Sequence, residues 1–385
     1  MYIVTMSQRK PPQEQIDYIL NLFKSNQIQQ ALDFIDTLSK DYPDKSLLFN
    51  IRGAGYAGLG QLDIAVQNYE KALSIKPDYA KVHYNLGSAL QELGKLHDSV
   101  KSYENSIALE PENAQAHNNL AIVLRELDQL EEAEASCRKA IVLDPEYAEA
   151  HSCLSIILYA NGDLNSALES IKKAYSINPK LKIIKLLLAV LKARKTHKTS
   201  KVSISNIRSI SNPLILNRAV EQELIDKLYE MKSLENYPNT DTIYGNARGS
   251  SYQFFQDDHS SIIRTVEDDL VRIVTKAIKA DIHIKDSFFH IMGAGGAGVS
   301  RHNHIGDLDL DSSLNLINQK FSLVYYLSIG DQDCSKPGTL KLYDPSENIL
   351  PRAGKIVIFP ADRYHSVVYN GEKDRIMISI NFYSL

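Results

Sequence analysis

Apolar positions in the first half of the chain fall at helical spacing inside a unit that itself recurs every 34 residues. Five prolines set the frame: Pro43, Pro77, Pro111, Pro145 and Pro179. Relative to them, small residues fall at Ala31, Ala65, Ser99, Ala133 and Ala167, and four places later come Ile35, Tyr69, Tyr103, Cys137 and Ile171. A third small site reads Ala72, Ser106, Ala140 and Ala174, with Leu38 as the exception in the first unit. Small residues at fixed places let two helices approach closely, and Gly60, Gly94 and Gly162 mark the turn between them. Each proline ends the second helix, because it has no N–H to donate and restricts the residue before it. The period predicts five helix pairs over residues 12–179, each unable to bury its apolar face without its neighbours.

The pattern then changes twice. Residues 180–201 place apolar side chains at helical spacing and carry eight Lys or Arg with no acid. They predict a helix that caps the last pair, followed by a basic, solvated linker. From 202 to 385, helical stretches near 218–232 and 260–279 precede short runs rich in Val, Ile, Phe and Tyr, broken by Gly, Pro and Asp. That is the pattern of one antiparallel β domain with supporting helices.

Composition narrows the class without changing this division. A net charge of -4 over 385 residues speaks against a general nucleic-acid surface, and no apolar run reaches the length of a membrane span. Cys137, Cys153 and Cys334 are odd in number and form no CxxC, so a disulfide framework is not expected. The first residues lack the charged start and apolar stretch of a signal peptide, Met1 and Met6 both offer a start, and a cytoplasmic location is expected.

The chemistry begins at "GVSRHNHIGD". In a strand, residues i and i+2 share a face, so His302 and His304 can address one ion while Asn303 points away. His365 follows the strand Ile356–Phe359 and a proline turn, and Arg375 comes ten residues later. Imidazoles on one face with open positions are the arrangement of non-haem iron enzymes. The glycine-rich "GAGGAG" at 293–298 reads as a flexible turn or lid, since a phosphate loop would need a GK[ST] ending and a following helix. "GDLDLD" reads as a solvated acidic loop. His83, His117 and His151 are also 34 apart, but equivalent helices lie about 8–10 Å apart at least, too far for one ion with bonds of about 2 Å. They are expected to be half-buried packing residues.

Two families carry resemblances. The in-phase positions of residues 12–179 resemble the tetratricopeptide repeat, an α-helical solenoid that holds proteins or peptides. Within it, "AKVHYNLGSAL" and "AQAHNNLAIVL" set Asn85 and Asn119 in register, similar to the arrays of the O-linked N-acetylglucosamine transferases. There, groove asparagines contact the backbone of a bound chain, and the resemblance implies the same for Asn85 and Asn119; they also read as plain polar groove residues. A glycosyltransferase is disfavoured, because 184 residues after the linker leave no room for two nucleotide-binding domains.

Residues 285–385 resemble the double-stranded β-helix, or jelly roll, of the iron(II)- and 2-oxoglutarate-dependent oxygenases, related to prolyl and aspartyl/asparaginyl hydroxylases. The matching stretches are "HNHI", "FSLVYYLS", "GTLKLYDP", "FPADRYH" and "DRIMISINF". The resemblance implies Fe(II), 2-oxoglutarate and dioxygen as cofactor and reactants. It implies His302 and His365 as ligands, Arg375 as the anchor of the distal carboxylate, and Tyr326 as a second contact to 2-oxoglutarate or a core aromatic. Met377 stands where many relatives have Ser. His304 occupies the place where most of them hold Asp. It is a third ligand, a bystander to a site completed by water, or a neighbour of Asp307 acting as the carboxylate. The expected function is a dioxygenase that hydroxylates a protein or peptide presented by the repeats; the alternatives are a non-catalytic scaffold with a degenerate oxygenase domain, or a small-molecule oxygenase.

Overall fold

The computed structural model describes residues 11–199, 212–231, 234–235, 247–250, 253–258, 260–293, 297–310, 314 and 316–385. The chain divides into two compact units, Met1–Leu188 and Ala189–Leu385.

The first unit is five antiparallel helix pairs in chain order: α1 (Gln13–Lys24) with α2 (Ile28–Asp41), α3 (Ser46–Gly58) with α4 (Leu62–Ile75), α5 (Ala80–Glu92) with α6 (Leu96–Leu109), α7 (Ala114–Glu126) with α8 (Leu130–Leu143), and α9 (Ala148–Ala160) with α10 (Leu164–Ile177). The small residues of the period are all fully buried, Ala31, Ala65, Ser99, Ala133 and Ala167 alike. The place four later is size-matched to its partner helix. A Cβ on Gly53 would lie 2.6 Å from Tyr69, and one on Gly87 would lie 2.9 Å from Tyr103. Where that place holds the smaller Cys137 or Ile171, the corresponding positions are Ala121 and Ser155. Every turn within a pair uses a left-handed residue at the same repeat position. Gly60, Gly94 and Gly162 take φ of 72°, 72° and 84°, and Asn26 and Asp128 complete the set at 58° and 61°. Asn and Asp are the non-glycine residues that enter this region most readily.

The three in-register histidines are half-buried, as expected, and each is also tied down. Nε2 of His83, His117 and His151 meets the carbonyl of Pro77, Pro111 and Pro145 at 2.9, 3.1 and 3.1 Å. A carbonyl only accepts, so each ring carries its proton on Nε2 and staples the start of its repeat to the preceding proline turn.

Helix α11 (Lys182–Thr199) runs through most of the stretch expected to be a linker. Lys, Leu, Ala and Arg are good helix formers and no Gly or Pro interrupts them, so the basic part stays helical instead of forming a hinge. The remainder of that linker lies outside the described residues.

The second unit contains β1 (Leu214–Asn217), α12 (Gln222–Glu230), β2 (Leu234–Glu235), β3 (Ala247–Gly249), α13 (Phe254–Asp257) and α14 (Ser261–Ile278). There follow β4 (Ile282–Met292), β5 (Ala297–His302), β6 (Lys320–Ile329), β7 (Pro337–Leu342), β8 (Glu347–Ile349), β9 (Lys355–Pro360), β10 (His365–Tyr369) and β11 (Arg375–Ser384). A seven-stranded antiparallel sheet has the order β1-β9-β6-β11-β4-β3-β2, and a four-stranded sheet has the order β5-β10-β7-β8. Strand alternation separates two cores. On β11, Ile376, Ile378, Ile380 and Phe382 pack toward α12, α13 and α14, joined by Phe321, Leu323 and Tyr325 of β6. The opposite faces of the same strands give Met377, Val324 and Tyr326, which pack with Leu340, Leu342, Val367 and Tyr369 of the smaller sheet. Each large apolar side chain buried this way contributes about 1.5–3 kcal/mol. The inner face is where the polar exceptions collect.

Candidate functional site

Three histidines converge at one end of the smaller sheet. His302 is the last residue of β5 and pairs across the ladder with His365, the first residue of β10. Their ring centroids are 4.2 Å apart, and His304 stands 4.9 Å from each. One ring nitrogen of each lies within 4.8 Å of the others, a spacing that one ion can bridge. The pairing of His302 with His304 does not come from strand alternation, as the sequence implied. β5 ends at His302, and His304 is brought back by its amide, which donates to the Ala361 carbonyl at 2.9 Å.

Burial holds two of these rings, His304 and His365, neutral. The His365 pKa is lowered to about 4 by burial and then by neighbouring His302, with a bond to the Arg363 carbonyl acting weakly the other way. His304 is lowered further still, by burial and then by His365 and His302. A neutral imidazole is the form that ligates a metal. The donor set suits a divalent first-row ion such as zinc, copper, iron or nickel.

The histidines open on a cavity of about 290 Å³, whose wall also carries Tyr326, Met377, His290 and Arg375. Arg375, the first residue of β11, has no solvent exposure at all. Its guanidinium Cζ lies 5.2 Å from the Tyr326 ring centre, and its Nη1 meets Met292 Sδ at 3.5 Å. Nε and Nη2 of Arg375 and the Tyr326 hydroxyl have no hydrogen-bond partner among the described residues. Two other buried arginines of this unit are fully compensated. Arg218 bonds Glu221 at 2.7 Å and Asp269 at 3.1 Å, and Arg363 bonds Glu347 at 2.9 Å. Among the described residues no carboxylate pairs with Arg375. An uncompensated buried cation is costly and is a fitting counterpart to an anion brought from outside.

Space for that guanidinium depends on Gly338, at φ +77°, where a Cβ would come within 2.6 Å of Arg375 Nη1. Met377 faces both His290 and Tyr326 across the ladders. His290 was not singled out by sequence, being embedded in the apolar run "SFFHIM". It lines the same cavity, and burial, followed by Arg375 and His302, lowers its pKa to about 4. Beyond the histidines Ser322 Oγ donates to Asn381 Oδ1 at 2.9 Å.

Other expectations need correcting. "GDLDLD" is not a solvated loop throughout: Asp309 is 2% exposed and bonds Lys320 and Tyr383. Burial pushes the Asp309 carboxyl up, and donors from Lys320, Tyr383 and the Gly306 amide outweigh it, holding it below the usual carboxylate range. The side chain of Asp307 lies outside the described residues. So do residues 294–296 of the glycine-rich stretch, while Ala297 and Gly298 already belong to β5. A Cβ on Gly298 would lie 2.8 Å from the Val367 carbonyl, so this glycine serves close strand approach.

In the repeats, Asn85 and Asn119 lie on first helices, half-buried and in register, but part of their capacity is spent between repeats. Asn85 Nδ2 donates to Asn50 Oδ1 and Asn119 Nδ2 to the Tyr84 hydroxyl, each at 2.9 Å. Each amide retains a second N–H.

Known proteins agree with the repeat region. A family model of the TPR repeat matches residues 55–94, and a tetratricopeptide repeat model matches residues 84–148. No curated protein matches the chain. Similar solved structures include MamA 41-end from Desulfovibrio magneticus RS-1, at 21% identity over 44% of this chain and 96% of that one, with a TM-score of 0.41. Pseudomonas aeruginosa pilF is similar at 17% identity over 49% and 86%, with a TM-score of 0.44. YrrB, described as a TPR protein with an unusual peptide-binding site, is similar at 22% over 47% and 90%, with a TM-score of 0.40. The family matches run from within α3 to the first residue of α9, over helices that carry the 34-residue period. The N-terminal region of this chain is a tetratricopeptide repeat solenoid, and it is followed by a mostly-β region.

Proposed function

We propose that the C-terminal unit is an iron(II)- and 2-oxoglutarate-dependent dioxygenase that hydroxylates a protein or peptide bound by the repeats. The observation that carries this reading is Arg375: a fully buried guanidinium with no acid paired to it among the described residues, facing the same cavity as three convergent imidazoles. A dicarboxylate that chelates a metal through one end and presents a second carboxylate from the other fits that pair of features. The strand order supports a double-stranded β-helix, since successive strands from β4 to β11 alternate between the two sheets apart from the hairpin β7–β8.

His302, His304 and His365 would hold the iron, and Arg375 and Tyr326 the distal carboxylate. When bound, iron(II), 2-oxoglutarate and dioxygen supply the oxidising chemistry, with succinate and carbon dioxide as products. The chain contributes orientation and exclusion of water. Arg375 offers Nε and Nη2 as parallel donors, which fix a carboxylate in direction as well as position. Tyr326 adds a hydroxyl, and its pKa is raised by burial, so it remains protonated and donating. Phe359 packs edge-on against His365 at 4.9 Å and Met377 closes the wall, keeping the floor apolar around the reacting group.

The test is succinate release from 2-oxoglutarate by the full chain with iron(II) and ascorbate, compared with His365→Ala. Release above that control, rising with a bound peptide, is expected. A second reading, a protein-interaction scaffold with an inactive β unit, is favoured by the tetratricopeptide matches and by imidazole at His304 where the resembling oxygenases hold a carboxylate. Equal, background-level release from both proteins would select it.

A further inference from the structure

His304 sits in a stretch, Asn303–Gly306, that belongs to no strand or helix, yet its ring meets two others that are fixed by a ladder. What fixes it is a closed circuit of bonds around Lys320. The His304 amide donates to the Ala361 carbonyl at 2.9 Å, and the Ala361 amide donates to the Lys320 carbonyl at 3.0 Å. The Lys320 ammonium donates back to the His304 carbonyl. Lys320 opens β6, Ala361 follows β9, and His304 follows β5, so the circuit ties the ligand loop to both sheets.

A second layer fixes the ammonium itself. Lys320 Nζ lies 2.6 Å from Asp309 Oδ2, and both side chains are 1% exposed. Tyr383, near the end of β11, donates to Asp309 Oδ1 at 2.6 Å, and the Gly306 amide donates to Oδ2 at 2.7 Å. Lys320 also stands 5.6 Å over the Tyr383 ring. Asp309 thus holds the far end of the loop through Gly306 while Lys320 holds the His304 carbonyl. None of Lys320, Asp309 and Tyr383 lines the cavity. A buried ion pair rarely outperforms apolar residues of its own volume in stability, and the best-attested benefit of such pairs is to specify one arrangement.

We propose that Lys320 and Asp309 are positioning residues that hold His304 in the three-histidine cluster, so that metal affinity at this site depends on a pair that touches neither metal nor substrate. The proposal rests on the metal-centre reading of the cluster. It explains how a loop histidine stands in for a ligand that strand alternation would otherwise have to place.

The test uses the full chain and cobalt(II) as probe, with copper(II) for spectroscopy. Removing Lys320 alone would strand the Asp309 charge, so the variant is Lys320→Met with Asp309→Asn, checked for folding by circular dichroism and melting. Outer-shell partners of ligands typically change metal affinity by about 10–100-fold, and a loss of that order is expected. The nitrogen hyperfine pattern of bound copper(II) should fall from three imidazoles to two. In the His304→Ala background the same pair of changes should cost less than about twofold, because its route to the metal is already gone. Tyr383→Phe, a milder change, should weaken cobalt(II) in the same direction by about 2–5-fold, the smaller effect expected of one hydrogen bond. A folded Lys320→Met/Asp309→Asn protein with wild-type affinity and three imidazoles overturns the proposal, as does a loss that persists undiminished in the His304→Ala background. Failure of the wild-type chain to bind cobalt(II) at all is a different result: it removes the metal centre itself.

Discussion

Replacing Arg375 by Met should move two properties of this protein in opposite directions. Arg375 is fully buried with two donor nitrogens lacking acceptors and no carboxylate partner among the described residues, so the ligand-free protein carries a desolvation penalty at this point. Each unsatisfied buried donor costs about 1–3 kcal/mol, or about 2–6 kcal/mol for the two. Methionine keeps the stem and loses the guanidinium, leaving a void beside Gly338 that costs about 1–3 kcal/mol. The net expectation is a gain of about 1–3 kcal/mol, a rise of roughly 3–10 °C in the melting of the β unit. 2-Oxoglutarate with metal, at a hundred times its dissociation constant, should stabilise the wild-type chain by about 2.7 kcal/mol and the variant not at all. Differential scanning calorimetry with and without the two ligands reads both effects. A variant that melts lower than wild type and is still stabilised by 2-oxoglutarate would show that Arg375 is a structural residue, and would refute the reasoning.

Three further outcomes follow from other parts of the molecule. Gly338→Ala puts a Cβ within 2.6 Å of Arg375 Nη1 at φ +77°, so it should cost about 1–3 kcal/mol of stability and weaken 2-oxoglutarate, measured by calorimetric titration; unchanged binding would detach Gly338 from the anion site. His290 and His365 have folded pKa values of about 4, against about 6.5 unfolded. As pH falls from 6.5 to 4, the unfolded chain takes protons that the folded one refuses, so metal-free stability is full above pH 6.5 and declines below it, by on the order of 3 kcal/mol per histidine at the limit. Urea unfolding at pH 7.5 and 4.5 measures this, and His290→Leu should flatten the slope; an unaltered slope would take His290 out of the balance. Asn85→Ala with Asn119→Ala should cost about 0.5–1.5 kcal/mol for each inter-repeat bond lost. In peptide-dependent succinate release the same variant should raise KM more than it lowers kcat, and equal kinetics would remove the groove amides from binding.

The repeat architecture was legible in the sequence because one physical requirement, small residues where helices touch, recurs in phase five times. Asn26 and Asp128 escaped because they serve the glycine position by a different route, a polar side chain tolerating a left-handed backbone. His302, His365 and Arg375 were singled out by the HxH spacing and by the family resemblance, and the structure brings all three to one cavity. The convergence of His304 was anticipated, but for a different cause: bonds to Ala361 and Lys320, not alternation. Asp309, Lys320 and Tyr383 could not be read, since they lie up to 74 residues apart in sequence and look locally like an acidic loop, a strand-edge lysine and a core tyrosine. Gly338 sat inside a recognised motif, yet the partner that explains it, Arg375, lies on another sheet. Contacts of that kind are set by sheet topology, which no local pattern encodes.

The central claim, one cavity that holds a metal and the distal carboxylate of a chelating dicarboxylate, meets its most direct test in anaerobic calorimetry. 2-Oxoglutarate is titrated into the full chain loaded with iron(II), and then into the same protein after chelation. Binding of one 2-oxoglutarate per chain with iron, lost after chelation and lost in His365→Ala, is the expected result. Binding that is unchanged by chelation, or absent in both states, would contradict the account.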